Sequence, residues 1–180
     1  GFASAAECRW LVERATPRLK PAAVWDGGGA RVAEQRSNSA LSITLADTDL
    51  VTEILRARIS TALQLPVAIF EPPQILHYSV GQEFVPHYDF LDSQHPDQAA
   101  ALAQFGQRMG TFLVYLNEEF EGGATDFPKT GLKFRGSIGD ALFFANVTPE
   151  GQPDPRTLHA GLPPTSGEKW VMSNWIRDRT

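Results

Sequence analysis

The sequence has few of the features that mark several common classes of protein. Cys8 is the single cysteine, so no disulfide can form within the chain, which fits a reducing compartment. No apolar run approaches the roughly 20 residues that a membrane-spanning helix needs. There is no basic cluster, and the net charge of -5 at pH 7 argues against a nucleic-acid surface. We therefore expect a cytoplasmic protein without membrane or nucleic-acid partners.

The chain also lacks an initiator methionine and a signal-peptide pattern at its start, GFASAAEC, as an excised part of a longer protein would. Lysine is scarce, with four residues against twelve arginines. One of the four, Lys169, lies in the apolar C-terminal segment GEKWVMSNWI. A buried lysine needs an anionic partner, because an unpaired buried ammonium is costly or loses its proton. Lys169 is therefore a candidate for a binding role.

The first third of the chain has the patterns of two helices. Ser4 and Glu7 form a capping box for a helix to about Ala15, with Trp10 and Leu11 among its inward residues. Asp47 or Asp49 caps a second helix through about residue 63. The residues expected on the core face of that helix follow a 3.6-residue period: Leu50, Ile54, Leu55, Ile59 and Leu63.

From residue 67 onward the sequence changes to short apolar runs broken by glycine and proline. These runs predict strands at about 67–71, 74–80, 84–90, 111–117, 131–135, 140–146, 156–161 and 168–177, with a short surface helix at 97–105. Helices followed by many short strands favour helices packed outside a β-sandwich or barrel. We predict a mainly β protein with flanking helices, whose core is a double-stranded β-helix, or jelly roll. Its length indicates one domain over 1–180, with supporting helical and extended segments in 1–66 and the catalytic core in 67–178.

The segment QILHYSVGQEFVPHYDF contains the clearest chemical motif, the pair His87 and Asp89. In a strand these two side chains point to the same face, as two ligands of one metal must. His159 is the best candidate for a third ligand, and Lys169 follows it by ten residues. Two histidines and one aspartate can form a facial triad, which suits Fe(II) and leaves three coordination positions open. A dicarboxylic co-substrate could chelate iron with one end and bind Lys169 with the other, with hydroxyl donors from Tyr78 and Thr111.

Simpler interpretations exist for each residue taken alone. A His-x-Asp pair is common by chance, a lone His159 is more often a loop or core residue, and Lys169 could extend its amine to solvent. Two histidines and an aspartate also bind zinc, so a hydrolase is an alternative, although Lys169 has no evident task there. A binding module that senses 2-oxoglutarate or O2 without turnover is a third reading.

The segments QILHYSVGQEFVPHYDF, RMGTFLVYLNEEFEGGATDFP, GSIGDALFF, DPRTLHAG and GEKWVMSNWI resemble the prolyl 4-hydroxylase branch of the Fe(II)/2-oxoglutarate dioxygenases. The resemblance is strong over about 70–178 and weak before it. It implies that His87, Asp89 and His159 are the iron ligands. It also implies that Lys169 binds the distal carboxylate of 2-oxoglutarate, assisted by Tyr78 and Thr111.

The same resemblance implies a substrate side. Arg36 and Ser37 match an Arg-Ser or Arg-Thr stretch that contacts peptide, while Glu71 and Trp175 match residues that border the substrate. A glycine-rich loop at 26–31 matches a region that closes over peptide. The implied reaction is hydroxylation of a prolyl residue in a peptide or protein, with O2 as co-substrate, oxidative decarboxylation of 2-oxoglutarate to succinate and CO2, and ascorbate as a further candidate reductant. A free amino acid or small metabolite is the alternative substrate, because the departures from the family pattern lie on this side: Asn38-Ser39, Pro72-Pro73 and the inserted segment 92–108.

Overall fold

The computed structural model describes residues 1–25, 30–32 and 36–179, and the helices of this part of the chain are close to those predicted. Helix α1 spans Ala5–Ala15, α2 spans Leu50–Leu63 and α3 spans Pro96–Phe105. The capping box of α1 is confirmed, since the Ser4 hydroxyl accepts from the Glu7 amide at 3.3 Å and the Glu7 carboxylate accepts from the Ser4 amide at 2.7 Å. Residues 26–29 of the glycine-rich loop predicted at 26–31 lie outside the described residues.

The outward faces of the first two helices differ from the prediction. Trp10 is 50% exposed, so its predicted inward position is wrong, whereas Leu11 and Ala15 are buried. The Trp10 indole N–H donates to the Asp49 carboxylate at 2.8 Å. This carboxylate also caps α2, so the ring lies at the outer joint between the helices. On α2, the exposed residues Leu50 and Ile54 are also misassigned, while Leu55 and Ile59 are buried as predicted.

Short strands make up most of the remaining chain. In order, the described strands are β1 (Lys20–Pro21), β2 (Ala23–Trp25), β3 (Ala30–Val32), β4 (Ser39–Ser42), β5 (Gln74–Tyr78), β6 (Phe84–His87), β7 (Arg108–Tyr115), β8 (Phe120–Gly122), β9 (Thr125–Phe127), β10 (Leu132–Phe134), β11 (Ala141–Ala145), β12 (His159–Gly161), β13 (Pro164–Gly167) and β14 (Lys169–Arg177). The strand predicted at 67–71 is wrong. Val67–Ile69 forms a single 3-10 turn after Pro66, and only Phe70 bridges to β14, at Ile176.

The strands form two principal sheets, as a jelly roll requires. A six-stranded sheet has the order β1-β4-β5-β14-β7-β11, and a four-stranded sheet has the order β10-β9-β12-β6. Strands β1 and β4 come from the N-terminal part of the chain, yet they extend the larger sheet next to β5. The N-terminal part is therefore integral to the sheet as well as a helical support for it.

Alternation along the central strand β14 separates two environments. Trp170, Met172 and Ile176 pack with residues of α1 and α2 in one apolar cluster. Lys169 and Trp175, at the alternate positions of the strand, line a cavity instead. Within the part of the chain that the structure describes, no helix is long and apolar enough to cross a membrane.

Candidate metal and co-substrate site

A partly open cavity is lined by residues of both principal sheets. Tyr78 and Lys169 come from β5 and β14 of the larger sheet, where they are direct cross-strand partners. Thr125 and His159 come from β9 and β12 of the smaller sheet. The cavity is thus a product of the two-sheet arrangement, and most of its chemistry comes from residues far apart in the sequence.

His87, Asp89 and His159 converge at this cavity as predicted. One candidate ligand atom from each lies within 4.8 Å of the other two. The Nε2 atom of His87 is 3.7 Å from Oδ1 of Asp89, and Nε2 of His159 is 3.6 Å from Oδ2. His87 and His159 are paired across β6 and β12. Strand β6 ends at His87, however, so the predicted extension to residue 90 is wrong and Asp89 lies beyond the strand.

Backbone contacts orient both imidazoles toward the carboxylate. Nδ1 of His87 is 2.8 Å from the carbonyl oxygen of Val85, and Nδ1 of His159 is 2.9 Å from that of Thr157. A carbonyl oxygen can only accept, so Nδ1 carries the proton in each ring and Nε2 keeps its lone pair. Two such nitrogens and a carboxylate form a donor set that fits Fe(II).

The protonation states of the group agree with a ligand role. Burial lowers the pKa of His87 to about 4, and His159 adds to this effect. Burial alone would raise the pKa of Asp89, but His159, His87, Arg108 and a hydrogen bond from Thr111 outweigh it and lower that pKa to about 2. At neutral pH, His87 is therefore neutral and Asp89 is ionised, which are the forms that bind a divalent metal.

Thr111 lies at the site, but not where the sequence suggested. Its hydroxyl donates to Oδ2 of Asp89 at 2.7 Å and accepts from the side-chain amide of Asn146 at 2.9 Å. The single hydroxyl proton is used on Asp89, which leaves none for a co-substrate. The structure therefore shows Thr111 in contact with Asp89, and its co-substrate role stays a prediction. Asn146 was missed because nothing in the sequence links it to the motif.

Lys169 lines the same cavity. It is 2% exposed, and its ammonium nitrogen is 5.0 Å from the ring centroid of Tyr78 and 5.5 Å from that of Tyr115. Among the described residues, no carboxylate forms an ion pair with it. Burial lowers the pKa of Lys169 to about 7. A charged amine enclosed by aromatic rings is a natural partner for the carboxylate of a bound ligand.

Thr125 is the cavity hydroxyl that sequence reasoning missed. It is buried on the wall, and its oxygen lies 2.8 Å from the Tyr115 hydroxyl. A signal was present, because Gly122 and Gly123 come shortly before it in the segment GGAT. Both glycines have positive φ angles, of 69° and 64°, and a Cβ on Gly123 would lie 3.4 Å from Cδ of Lys169. This turn therefore lies against Lys169, and Thr125 lines the same cavity, whereas the sequence alone suggested a simple hairpin.

Two of the four predicted substrate-side residues line the cavity. Arg36 is buried, with its guanidinium 4.8 Å from the ring centroid of Phe84 and hydrogen bonds to Asn38 at 3.1 Å and Gln74 at 3.3 Å. Trp175 is buried on the same wall. These two residues remain candidates for contacts with substrate.

The other two substrate-side residues lie away from the cavity wall. Ser37 is exposed and exchanges hydrogen bonds with the backbone of Glu83, at 3.2 and 2.8 Å. Glu71 forms ion pairs with Arg108 at 2.6 Å and Arg177 at 2.7 Å. Arg108 also lies 4.1 Å over the Trp175 ring, so Glu71 is connected to the cavity wall only through contacts with other side chains.

Residues 73–177 match the family model of the 2OG-Fe(II) oxygenase superfamily. The chain is 33% identical to prolyl 4-hydroxylase 13 of Arabidopsis thaliana, with 99% of this chain and 69% of the relative covered. It is 34% identical to prolyl 4-hydroxylase subunit alpha-1 of Gallus gallus, with 96% and 34% covered. The chain spans about two thirds of the length of the plant relatives it matches.

Solved structures agree with these sequence matches. The viral collagen prolyl hydroxylase of Paramecium Bursaria Chlorella virus-1, in its 2OG complex, aligns with a TM-score of 0.72 and 28% identity, covering 98% of this chain and 92% of that one. A Pseudomonas putida prolyl-4-hydroxylase aligns with a TM-score of 0.64 and 20% identity, covering 99% and 90%. The second match supports the fold alone, and together they confirm the predicted jelly roll.

Proposed function

This chain belongs to the 2OG-Fe(II) oxygenase superfamily, and we propose that it hydroxylates a prolyl residue of a peptide or protein with 2-oxoglutarate and O2 as co-substrates. The observation on which this depends is the convergence of His87, Asp89 and His159 at a cavity that also encloses Lys169. The family membership favours an oxygenase over the zinc hydrolase considered from the sequence.

The protein's contribution to the metal is a preformed set of ligands. His87, Asp89 and His159 would hold the iron, because their free nitrogen lone pairs and ionised carboxylate face one another without rearrangement. Bound iron would supply the activation of O2 for attack on a C–H bond, coupled to decarboxylation of 2-oxoglutarate to succinate and CO2. The backbone carbonyls of Val85 and Thr157 keep the two rings in the required tautomer.

The co-substrate would lie between the metal ligands and Lys169. Its distal carboxylate supplies the anion that Lys169 lacks among the described residues, while Tyr78 adds a hydroxyl group on the same wall. Apolar residues such as Leu113 and Val171 line the space between, so the ion pair forms away from bulk water and is stronger there. This arrangement orients 2-oxoglutarate from its far end.

The prolyl substrate is supported by the relatives, several of which are named prolyl 4-hydroxylases. On this chain, Arg36 and Trp175 offer a cation and a broad apolar ring at the cavity wall. A proline ring packs well on an indole face. Ascorbate, as a reductant that would keep the metal in its ferrous state, is part of the same proposal.

The experiment that tests this function is an anaerobic titration of the protein with Fe(II) and 2-oxoglutarate, followed by visible absorption. We expect a weak metal-to-ligand charge-transfer band that needs both additions and is absent from the His159→Ala variant. Admission of O2 with poly-L-proline as probe should then give succinate and hydroxyproline in equal amounts.

Different failures have different meanings. The absence of the band would reject the oxygenase. The band with no turnover of any substrate would favour a non-catalytic sensor. Succinate formation stimulated by a free amino acid, and not by peptides, would move the substrate to small molecules.

A further inference from the structure

A buried chain of hydrogen bonds connects Asn146 to the metal site. The Asn146 side-chain amide donates to the Thr111 hydroxyl at 2.9 Å, and that hydroxyl donates to Oδ2 of Asp89 at 2.7 Å. All three residues are buried, and Asn146 is 0% exposed. Asn146 is not among the cavity-lining residues, so it can act on the site only through Thr111.

The ionised Asp89 determines which group donates and which accepts in each of these hydrogen bonds. An ionised Asp89 can only accept, so the one proton of Thr111 points to it. The Thr111 oxygen can then only accept from Asn146, which requires the NH2 group of that side chain. If the amide were turned round, its oxygen would face the Thr111 oxygen with no proton between them.

The backbone of Asn146 is held by two hydrogen bonds. The Asn146 backbone N–H donates to the Met109 carbonyl at 2.8 Å, and its carbonyl accepts from the Asp154 amide at 3.0 Å. Thr111 lies on β7, which is paired on both sides by β14 and β11. By contrast, Asp89 lies past the end of β6 and has no strand partner. The hydrogen bonds from Asn146 and Thr111 therefore restrain the Asp89 carboxylate, whose own backbone is not held by strand pairing.

Asn146 is a poor choice if its purpose is stability alone. Its side-chain oxygen is buried without a hydrogen-bond partner among the described residues. An unpaired buried carbonyl oxygen destabilises the fold, and a leucine of similar size would avoid that penalty. The cost is explained if the amide N–H serves the site.

We propose that Asn146 is a positioning residue of the metal site, which holds the Thr111 hydroxyl so that this hydroxyl fixes the Asp89 carboxylate between the two imidazoles. The inference rests on the proposed iron-binding function. It assigns Thr111 and Asn146 to the metal half of the cavity, and leaves the co-substrate half to Lys169 and its neighbours.

The test compares near-isosteric variants by metal affinity and by stability. Asn146→Leu and Thr111→Val each break the hydrogen-bond relay that runs from Asn146 through Thr111 to Asp89. Thr111→Ser keeps the hydroxyl and is the matched control. Affinity for Fe(II) is measured anaerobically, and thermal unfolding is measured on metal-free protein. We expect about 10- to 100-fold weaker metal binding in both relay variants and recovery to within a few-fold in Thr111→Ser. The metal-free Asn146→Leu protein should unfold at the same temperature as the wild type or higher.

The double variant gives a second criterion. Asn146 and Thr111 act through the same hydrogen-bond relay. The double variant Asn146→Leu with Thr111→Val should therefore bind iron no more weakly than the Thr111→Val variant alone. Unchanged metal affinity in the single variants, no recovery in Thr111→Ser, or additive losses in the double variant would each overturn the inference. A wild-type protein that fails to bind iron would instead reject the proposed function, so the two failures are distinguishable.

Discussion

The two faces of the six-stranded sheet use the same strands for opposite purposes. On the helix side, Phe112 and Val114 of β7 pack with Met172 of β14 in a core that is almost entirely hydrocarbon. On the cavity side, the alternate positions of the same strands carry Thr111 and Lys169. Side chains alternate along a strand, so neighbouring residues lie on opposite faces of the sheet. One face stabilises the fold and the other lines the cavity.

The comparison shows that burial alone does not identify a structural residue. Lys169, Asp89 and His159 are as inaccessible as most of the hydrophobic core. What distinguishes them is that each keeps a charge or lone pair directed into the cavity. Substitutions on the two faces should therefore separate stability from chemistry, and the following experiments test that separation.

The largest expected effect is on the cavity side. His159→Ala should abolish Fe(II) binding and turnover, because it removes one of three ligands. The metal-free variant should keep the far-ultraviolet circular dichroism of the wild type and unfold cooperatively. Turnover at the wild-type rate would show that His159 is not a ligand, and loss of the folded spectrum would show that the two faces are not separable.

Met172→Ala is the opposite case on the helix side. Met172 is 0% exposed, so its truncation should lower the free energy of unfolding by about 2–5 kcal/mol. Denaturant titration measures this change. The Fe(II) and 2-oxoglutarate affinities of the folded variant, measured well below its unfolding temperature, should match the wild type; a large loss of either would mean that core packing sets the site geometry.

Lys169→Met should weaken 2-oxoglutarate binding at least about tenfold, because it removes a desolvated ion pair and keeps the side-chain volume. Fe(II) affinity should stay the same, since Lys169 is not one of the three candidate metal ligands. The free energy of unfolding should not fall, because an uncompensated buried amine is lost. Lys133→Met, at an exposed lysine, is the matched control and should change none of these quantities.

The smallest expected effect is a pH dependence of co-substrate binding. The pKa of Lys169 is lowered to about 7 in the free protein, so the amine is neutral above that pH. A bound dicarboxylate favours the ammonium form, so binding above pH 7 takes up a proton and the affinity falls as pH rises. Below pH 7 the amine is already charged and this dependence levels off. Calorimetry in buffers of different ionisation enthalpy measures the uptake.

Tyr78 and His87 of the same cavity do not produce this trend. Burial raises the pKa of Tyr78 to about 12, and the pKa of His87 is about 4, so neither changes charge between roughly pH 6 and 9. The Lys169→Met variant should bind 2-oxoglutarate with no such proton uptake. Uptake that persists in that variant would assign the effect to another group.

Much of the fold follows from short-range patterns in the sequence. The capping box at Ser4, the N-cap at Asp49 and most strand positions depend on local residue order, which is visible without a structure. The strand predicted at 67–71 failed because an apolar run of that length is equally compatible with a turn. Trp10 failed because its indole N–H found a partner on another helix, which helical periodicity cannot show.

The residues of the candidate site also differ in whether the sequence alone reveals them. His87, Asp89, His159 and Lys169 are recognisable because their residue types and order are unusual. The contact of Thr111 with Asp89 and the place of Thr125 on the cavity wall depend on how the two sheets pack, which one sequence does not show. Asn146 belongs to the site only through a contact between β7 and the end of β11. Such tertiary contacts leave no local pattern in one sequence.

The pairing of His87 with His159 across β6 and β12 makes metal affinity a property of the folded state. In an unfolded chain these residues are far apart, so a divalent metal binds the native protein in preference and shifts the folding equilibrium toward it. At a free metal concentration of 100 times the dissociation constant, this linkage is worth about 2.7 kcal/mol. The supply of iron would then set how long the protein survives as well as how fast it works, and iron starvation would remove the enzyme together with its activity.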